Sequence, residues 1–431
     1  MRILIVGAGG REHALAWWCR RGRDDVELIV APGNPGTADI AENVVADVTD
    51  TAGIARLAQE REVDLVVIGP DAAAAAGVAD ACVENGIAVF GPSKAAARIE
   101  SSKTFAKRLM RENGIPTARW IAGGAYVREM LSAFIEDLDG RVAVKADGLA
   151  LGKGVTVCDS VEQAEAAVTE CFEGRRFGAA GESVVVEERL EGPEVSVFAF
   201  SDGTNIRVLP AARDYKRAYD GDTGPNTGGI GAVSPPPGVP DDFVDNVAVP
   251  EVLQPCIDAL RKRGMPFVGC LYAGLMLTAD GVRVVEFNAR LGDPEAQVVL
   301  PLVDEDGADL MLAAASGALE PGRTKDRGGA AAGIVAAAAG YPDAPRTGDV
   351  ITRLDALDPG VLVFQAGTRR GTDGTLLTAG GRVLCVVATR PSLEDARAVA
   401  YENLARVHFE GMQFRGDIGG ALMAASSEVA P

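Results

Sequence analysis

The stretch Val282–Glu295, VRVVEFNARLGDPE, decides how this chain is read. Val282, Val284 and Val285 are β-branched, and Ala279, Asp280 and Gly281 before them form a turn signal, so a strand is predicted from Val282. Residues two apart on a strand face the same way, which sets the Glu286 carboxylate beside the Asn288 amide. Two hard oxygen ligands at this spacing suit Mg²⁺, which takes one or two protein ligands and completes its shell with water and phosphate oxygens. Arg290 continues the alternation if the strand runs that far, and adds a fork that grips carboxylate or phosphate. The competing reading is an edge strand with polar residues facing water, and this stretch alone does not exclude it.

The 431 residues predict two to four domains. No apolar run is long enough for a membrane span, and MRILIVGAGG reads as a first strand rather than a signal peptide. Seven scattered cysteines without a C-x-x-C pair predict reduced packing residues in a cytoplasmic protein. With only His13 and His408, a multi-histidine zinc site is excluded. The formal charge is −19, and only eight of the 42 basic residues are lysine. That balance argues against nucleic acid as a partner and suggests a surface adapted to high salt.

Residues 1–100 alternate strands with helices, which implies a doubly wound parallel sheet. Predicted strands Ile3–Val6, Val26–Val30, Val63–Ile68 and Ile87–Phe90 each end in a glycine turn, where ligands of such sheets bind. Gly7-x-Gly9 invites a dinucleotide reading, but Glu12 replaces the third glycine and no acid closes the second strand. The helix start at Gly9, Gly10 and Arg11, with the Asn34-Pro35-Gly36 loop, could instead hold a phosphate.

The middle of the chain carries further signals. Asp147–Gly154 follows a predicted strand at Arg141–Lys145, and three glycines and two lysines between 145 and 154 suit a loop over polyphosphate. The Walker A pattern is absent. Strands are predicted at Ser183–Glu188 and Val195–Phe200. The run 220–231, DGDTGPNTGGIG, reads by composition as a disordered linker. So does 323–329. Beyond it lie strands near 330–339, 361–365, 375–378 and 383–388, then a helix over 392–407 capped by Ser392.

The order of these parts resembles the ATP-grasp superfamily. GAGGREHA, GPSKAAA, KADGLALGKGV, GPNTGGIGA, EFNARLGDPEAQ, FQAGT, GGRVL and HFEGMQFRGDIG together resemble the phosphoribosylamine–glycine ligase family over residues 3 to 419. The resemblance implies a Rossmann-like domain at 1–100, an ATP-grasp domain at 101–322 and a small mixed α/β domain at 323–431. It implies ligation of glycine to 5-phosphoribosylamine with ATP and Mg²⁺ (or Mn²⁺), through glycyl phosphate, in purine biosynthesis. Lys103 and Lys145 would contact the ATP phosphates, with Gly152, Lys153 and Gly154 closing over them. The backbone of Glu187, Glu188 and Leu190 would meet adenine, and Glu194 the ribose. Glu286 and Asn288 would hold the metal, and Arg290 would stabilise the transition state. Asp214, Lys216, Asn226, Thr227, Gly228, Gly229 and Asp293 would shape the glycine and ribosylamine pocket, with the phosphate at 9–11 and 34–36. A monomer or weak homodimer is expected.

The chain departs from the family pattern at Asp71 (usually Glu), at Tyr215 (often His) and at Gln365 (usually His), and Ala273–Met276 carries no second acidic metal ligand. Two other readings stay open at this point. One is a different ATP-grasp ligase or carboxylase, and the other is a nucleotide-binding regulator or oxidoreductase built on the N-terminal fold.

Overall fold

The computed structural model describes residues 1–149, 154–173 and 181–420. Its N-terminal sheet holds five parallel strands in the spatial order Glu42–Asn43, Glu27–Pro32, Arg2–Gly7, Leu65–Ile68, Ala88–Phe90. The central strand is nearly free of polar residues because helices cover both faces.

A separate four-stranded antiparallel sheet holds Trp120–Gly123, Val184–Glu188, Val142–Ala146 and Val155–Val157. Helices Arg128–Asp137 and Val161–Glu173 pack on it, and Leu131, Ile135, Val144, Val168 and Val186 give it a core of its own. A second five-stranded sheet runs Gly281–Asn288, Val268–Thr278, Glu194–Asp202, Ile206–Val208, Gly322–Arg323. A third runs Arg213–Asp214, Gly231–Ser234, Ala330–Ala337, Arg382–Arg390, Leu362–Gln365, so strands from both sides of residue 323 share it. The largest core joins these layers: Phe200 packs against Phe90 (4.6 Å between ring centres) and Trp18 (6.1 Å).

Three expectations need correction. The run 220–231 is not a disordered linker: Arg217–Tyr219 and Thr223–Asn226 pair as a hairpin, and Gly231 opens a sheet strand. Buried Arg415 anchors that hairpin through the Arg217 carbonyl and Asp222. Composition misled because the partners lie about 200 residues away in sequence. The second expected linker is also packed, since Gly322–Arg323 pairs with Ile206–Val208 and the Arg327 N–H reaches the Leu302 carbonyl. Finally, the decisive strand stops at Asn288, so Arg290 lies beyond it.

That strand carries a bulge. Leu275 pairs with Val284 and Gly274 with Glu286, which leaves Val285 as the extra residue. A bulge turns a backbone group out of the ladder. The Val285 carbonyl accepts a hydrogen bond from Lys145 Nζ at 2.9 Å.

Candidate active site

Lys103 opens helix Lys103–Glu112, whose first turn is capped by Ser102. Its Nζ donates to the Gly148 carbonyl at 3.0 Å, so it reaches the start of the lysine–glycine loop. Burial lowers its pKa, with Glu286 opposing. Lys145 is buried on the facing strand, with Nζ 3.1 Å from Glu187 Oε2. Lys107, one helical turn after Lys103, places its Nζ 2.8 Å from the same oxygen. Burial brings the Lys107 pKa down to about 8 against the pull of Glu187. Gly154 stands beside the strand, its carbonyl accepting from the Ala146 N–H. Gly152 and Lys153 lie outside the described residues.

The Glu187 side chain is buried between the two lysines, while Glu188 turns outward and accepts from the Arg119 N–H at 3.3 Å. Leu190 follows the strand end, half-buried. Glu194 opens the next strand and meets Lys216 Nζ at 3.1 Å.

Glu286 sits among cations. Burial opposes its charge, yet Lys216, Lys145, Lys103 and Arg290 together bring its pKa down to about 2. Asn288, 9% exposed, makes no side-chain hydrogen bond among the described residues. An ionised carboxylate and an uncommitted amide oxygen fit a hard divalent cation that keeps oxygens from phosphate and water. Among the described residues, no group of three or more His, Cys, Asp and Glu forms a metal cluster.

Arg290, though off the strand, is held by Glu100: Nη2 lies 2.9 Å from Oε1, and Glu100 Oε2 accepts from the Ala289 N–H at 2.8 Å. Burial opposes its charge, but Glu100 and Asp71 raise its pKa above the ordinary value. Asp71 thus contributes its field here, while its side chain accepts from the Ala72 N–H. Arg290 Nε is buried without a partner among the described residues.

The pocket beyond is more acidic. Burial, then Glu295, pushes the Asp214 pKa well up, and Asp214 Oδ1 has no hydrogen-bond partner among the described residues. Gly229 has φ +106°, and a Cβ there would lie 2.7 Å from that oxygen and 2.4 Å from Pro294. Only glycine brings the backbone this close. Thr227 fastens the loop, donating through its N–H and Oγ1 to the Lys216 carbonyl. Asn226 ends the hairpin opposite Arg217. Gly228 donates to the Tyr341 hydroxyl. Arg382, on a C-terminal strand, ties the pocket together: Nη1 donates to the Gly228 carbonyl at 2.6 Å and the Asp293 carbonyl at 2.5 Å. Sequence reasoning singled out its motif, GGRVL, but missed Arg382, Lys107 and Glu295. For Lys107 the signal was a lysine in a lysine-poor chain, four residues from Lys103.

The N-terminal turns are occupied by the chain's own groups. Glu12 Oε2 accepts from the Gly9 N–H at 2.6 Å, and its carboxylate lies where a side chain at Gly7 (φ +130°) would project. A dinucleotide pyrophosphate approaching this turn would meet that anion. The Arg11 guanidinium pairs with Glu12 at 2.6 Å. The Asp293 carboxylate packs beneath Gly9 and Gly10 and is held by Gln297 Nε2 at 2.8 Å. Burial opposes its charge, but Arg382 and Arg11 lower its pKa. Asn34 is a brace: its amide donates to the Ala8 and Gln365 carbonyls, both at 2.8 Å, and accepts from the Gly36 N–H. Pro35 and Gly36 are buried with it, Gly36 against His13 and Gln365.

Comparisons with known proteins agree with this architecture. Residues 1–100, 101–296 and 331–421 match the N domain, the ATP-grasp (A) domain and the C domain of phosphoribosylglycinamide synthetase. The phosphoribosylamine–glycine ligase of Streptomyces coelicolor is 49% identical over 97% of this chain and 98% of its own. That of Caulobacter vibrioides is 46% identical, with the same coverage. The solved structure of the Thermotoga maritima phosphoribosylamine–glycine ligase superposes with a TM-score of 0.84 at 37% identity, covering 97% of this chain and 100% of that one. The biotin carboxylase domain of a Hydrogenobacter thermophilus 2-oxoglutarate carboxylase shares the fold, with a TM-score of 0.74 at 17% identity over 96% of this chain and 91% of that one. Among the described residues, no helix is long and apolar enough to cross a membrane. In sequence along almost its whole length, and in fold, the chain belongs to the phosphoribosylamine–glycine ligase family.

Proposed function

We propose that this chain is an ATP-dependent ligase that joins glycine to 5-phosphoribosylamine, giving glycinamide ribonucleotide, ADP and phosphate in purine biosynthesis in the cytoplasm. The observation that carries this reading is Glu286, an ionised carboxylate encircled by Lys103, Lys145, Lys216 and Arg290. Such a cluster suits triphosphate and a small carboxylate brought together.

Glu286 and Asn288 would hold Mg²⁺ or Mn²⁺. When bound, the cation neutralises charge on phosphate oxygens. Lys103 and Lys145 hold the phosphates. The backbone of Glu187–Leu190 meets adenine, and Glu194 the ribose. Arg290, braced by Glu100, binds the transferring phosphoryl group. A glycine carboxylate oxygen attacks the γ-phosphorus, the bond to ADP breaks, and glycyl phosphate forms. The ribosylamine nitrogen then attacks the carbonyl carbon and phosphate leaves. Asp214, whose Oδ1 has no hydrogen-bond partner among the described residues, accepts the proton lost by that nitrogen. No enzyme nucleophile takes part; positioning supplies much of the rate. The protein acts as a monomer or weak homodimer.

The test is a coupled ADP assay with ribosylamine generated in situ and glycine labelled with oxygen-18 in the carboxylate. ADP forms only with both co-substrates, and label appears in the released phosphate. AMP formation, or phosphate without label, overturns the acyl-phosphate route.

A further inference from the structure

One oxygen atom, Glu187 Oε2, receives two ammonium groups: Lys107 Nζ at 2.8 Å and Lys145 Nζ at 3.1 Å. All three side chains are buried, at 2%, 4% and 3% exposure for Lys107, Lys145 and Glu187. The other carboxylate oxygen, Oε1, has no hydrogen-bond partner among the described residues. Each lysine is tethered a second time. Lys145 donates to the Val285 carbonyl at 2.9 Å. Lys107 donates to Thr117 Oγ1 at 2.6 Å, and Thr117 Oγ1 donates to the Val284 carbonyl at 2.7 Å. The two ammoniums are thus anchored to consecutive carbonyls of the strand that carries Glu286.

A buried carboxylate needs one cation. Were Lys145 its sole partner, the pair would be neutral and would offer little to a nucleotide. With Lys107 present the triad carries one net positive charge.

We propose that Lys107 is a positioning residue for the nucleotide site: it neutralises Glu187, leaving the charge of Lys145 for an ATP phosphate. This rests on the reading that Lys145 faces the phosphates. Without Lys107, Glu187 would hold Lys145 alone, and phosphate affinity would fall while adenine and ribose contacts persisted.

The experiment compares ATP with adenosine, which lacks phosphate, by calorimetric titration of the full chain. Lys107→Met is expected to weaken ATP about tenfold or more (about 1.4 kcal/mol per decade) and to leave adenosine unchanged. Lys107→Arg, which keeps the cation, retains most ATP affinity. In Lys107→Met/Glu187→Gln the neutral amide no longer captures Lys145, so ATP affinity recovers relative to Lys107→Met. The double variant buries no uncompensated carboxylate, so if Lys107→Met does not fold, the double variant's ATP-to-adenosine ratio decides. A ratio near that of the unaltered chain supports the proposal, and a collapsed ratio overturns it. Parallel loss of ATP and adenosine in Lys107→Met, unchanged ATP affinity, or no recovery in the double variant also overturns it. Lys145→Met separates the two claims. If it leaves ATP affinity intact, the phosphate role of Lys145 falls and this proposal with it. If it weakens ATP while Lys107→Met does not, only this proposal falls.

Discussion

Lys216 Nζ lies 3.6 Å from Glu286 Oε1, so the carboxylate assigned to the metal already has a cation beside it. Lys216 also meets Glu194 at 3.1 Å. Burial opposes the Lys216 charge, but Glu194 and Glu286 raise its pKa well above the ordinary value. The lysine therefore stays charged and holds Glu286 ionised until a nucleotide and its cation enter.

Loss of either metal-side oxygen should then show in metal dependence. Glu286→Gln and Asn288→Ala are each expected to lower turnover at ordinary Mg²⁺ by about tenfold or more, because charge neutralisation of the triphosphate is lost. Circular dichroism should report an intact fold. Full activity in both variants across a Mg²⁺ titration would remove these residues from the site.

Arg382 holds the Gly228 loop and Asp293 from the C-terminal sheet through two short hydrogen bonds. Hydrogen bonds to charged groups contribute roughly 1.5–3 kcal/mol each. Arg382→Ala should lower kcat/KM for ribosylamine by about tenfold or more, with the KM for ATP little changed. Arg382→Lys keeps charge but not the fork, and should recover only part. Equal losses toward ATP and ribosylamine would mean general loosening instead.

His13 gives a pH prediction. Burial brings its pKa down to about 4, while its Nδ1 accepts the Gln365 N–H at 2.9 Å. The unfolded chain takes up this proton below about pH 6.5, and the folded chain only below about 4. Stability from this group is therefore complete above 6.5 and falls as pH drops toward 4, by roughly 3 kcal/mol in all. Urea unfolding of His13→Gln should show a smaller loss between about pH 7 and about pH 4.5 than the unaltered chain. Equal losses would contradict the buried neutral imidazole.

The formal charge of −19 predicts a salt response. The Debye length falls from about 30 Å at 0.01 M to about 3 Å at 1 M salt, which screens self-repulsion. Melting temperature and activity should rise from dilute buffer to molar KCl. A flat or falling melting temperature would count against adaptation to high salt.

Local chemistry made much of this protein legible from sequence alone. The alternation of strands with helices over residues 1–100 pointed to the parallel N-terminal sheet, and Ser392 caps its helix where side-chain hydrogen bonding dictates. The spacing of Glu286 and Asn288 placed two oxygens on one strand, and the joint motifs carried the family. What depended on distant partners was not legible. The hairpin that takes up much of the 220–231 run is held by Arg415 from almost 200 residues away. Arg290 left the strand yet gained its place from Glu100, and Asn34 became a brace when Gln365 arrived from the C-terminal sheet. Lys107 and Lys145 meet on Glu187 only when a helix packs across two strands. Propensity and spacing act over a few residues, so they determine elements and motifs. Burial and charge pairing act through space, and only the folded chain decides which ammonium faces which carboxylate.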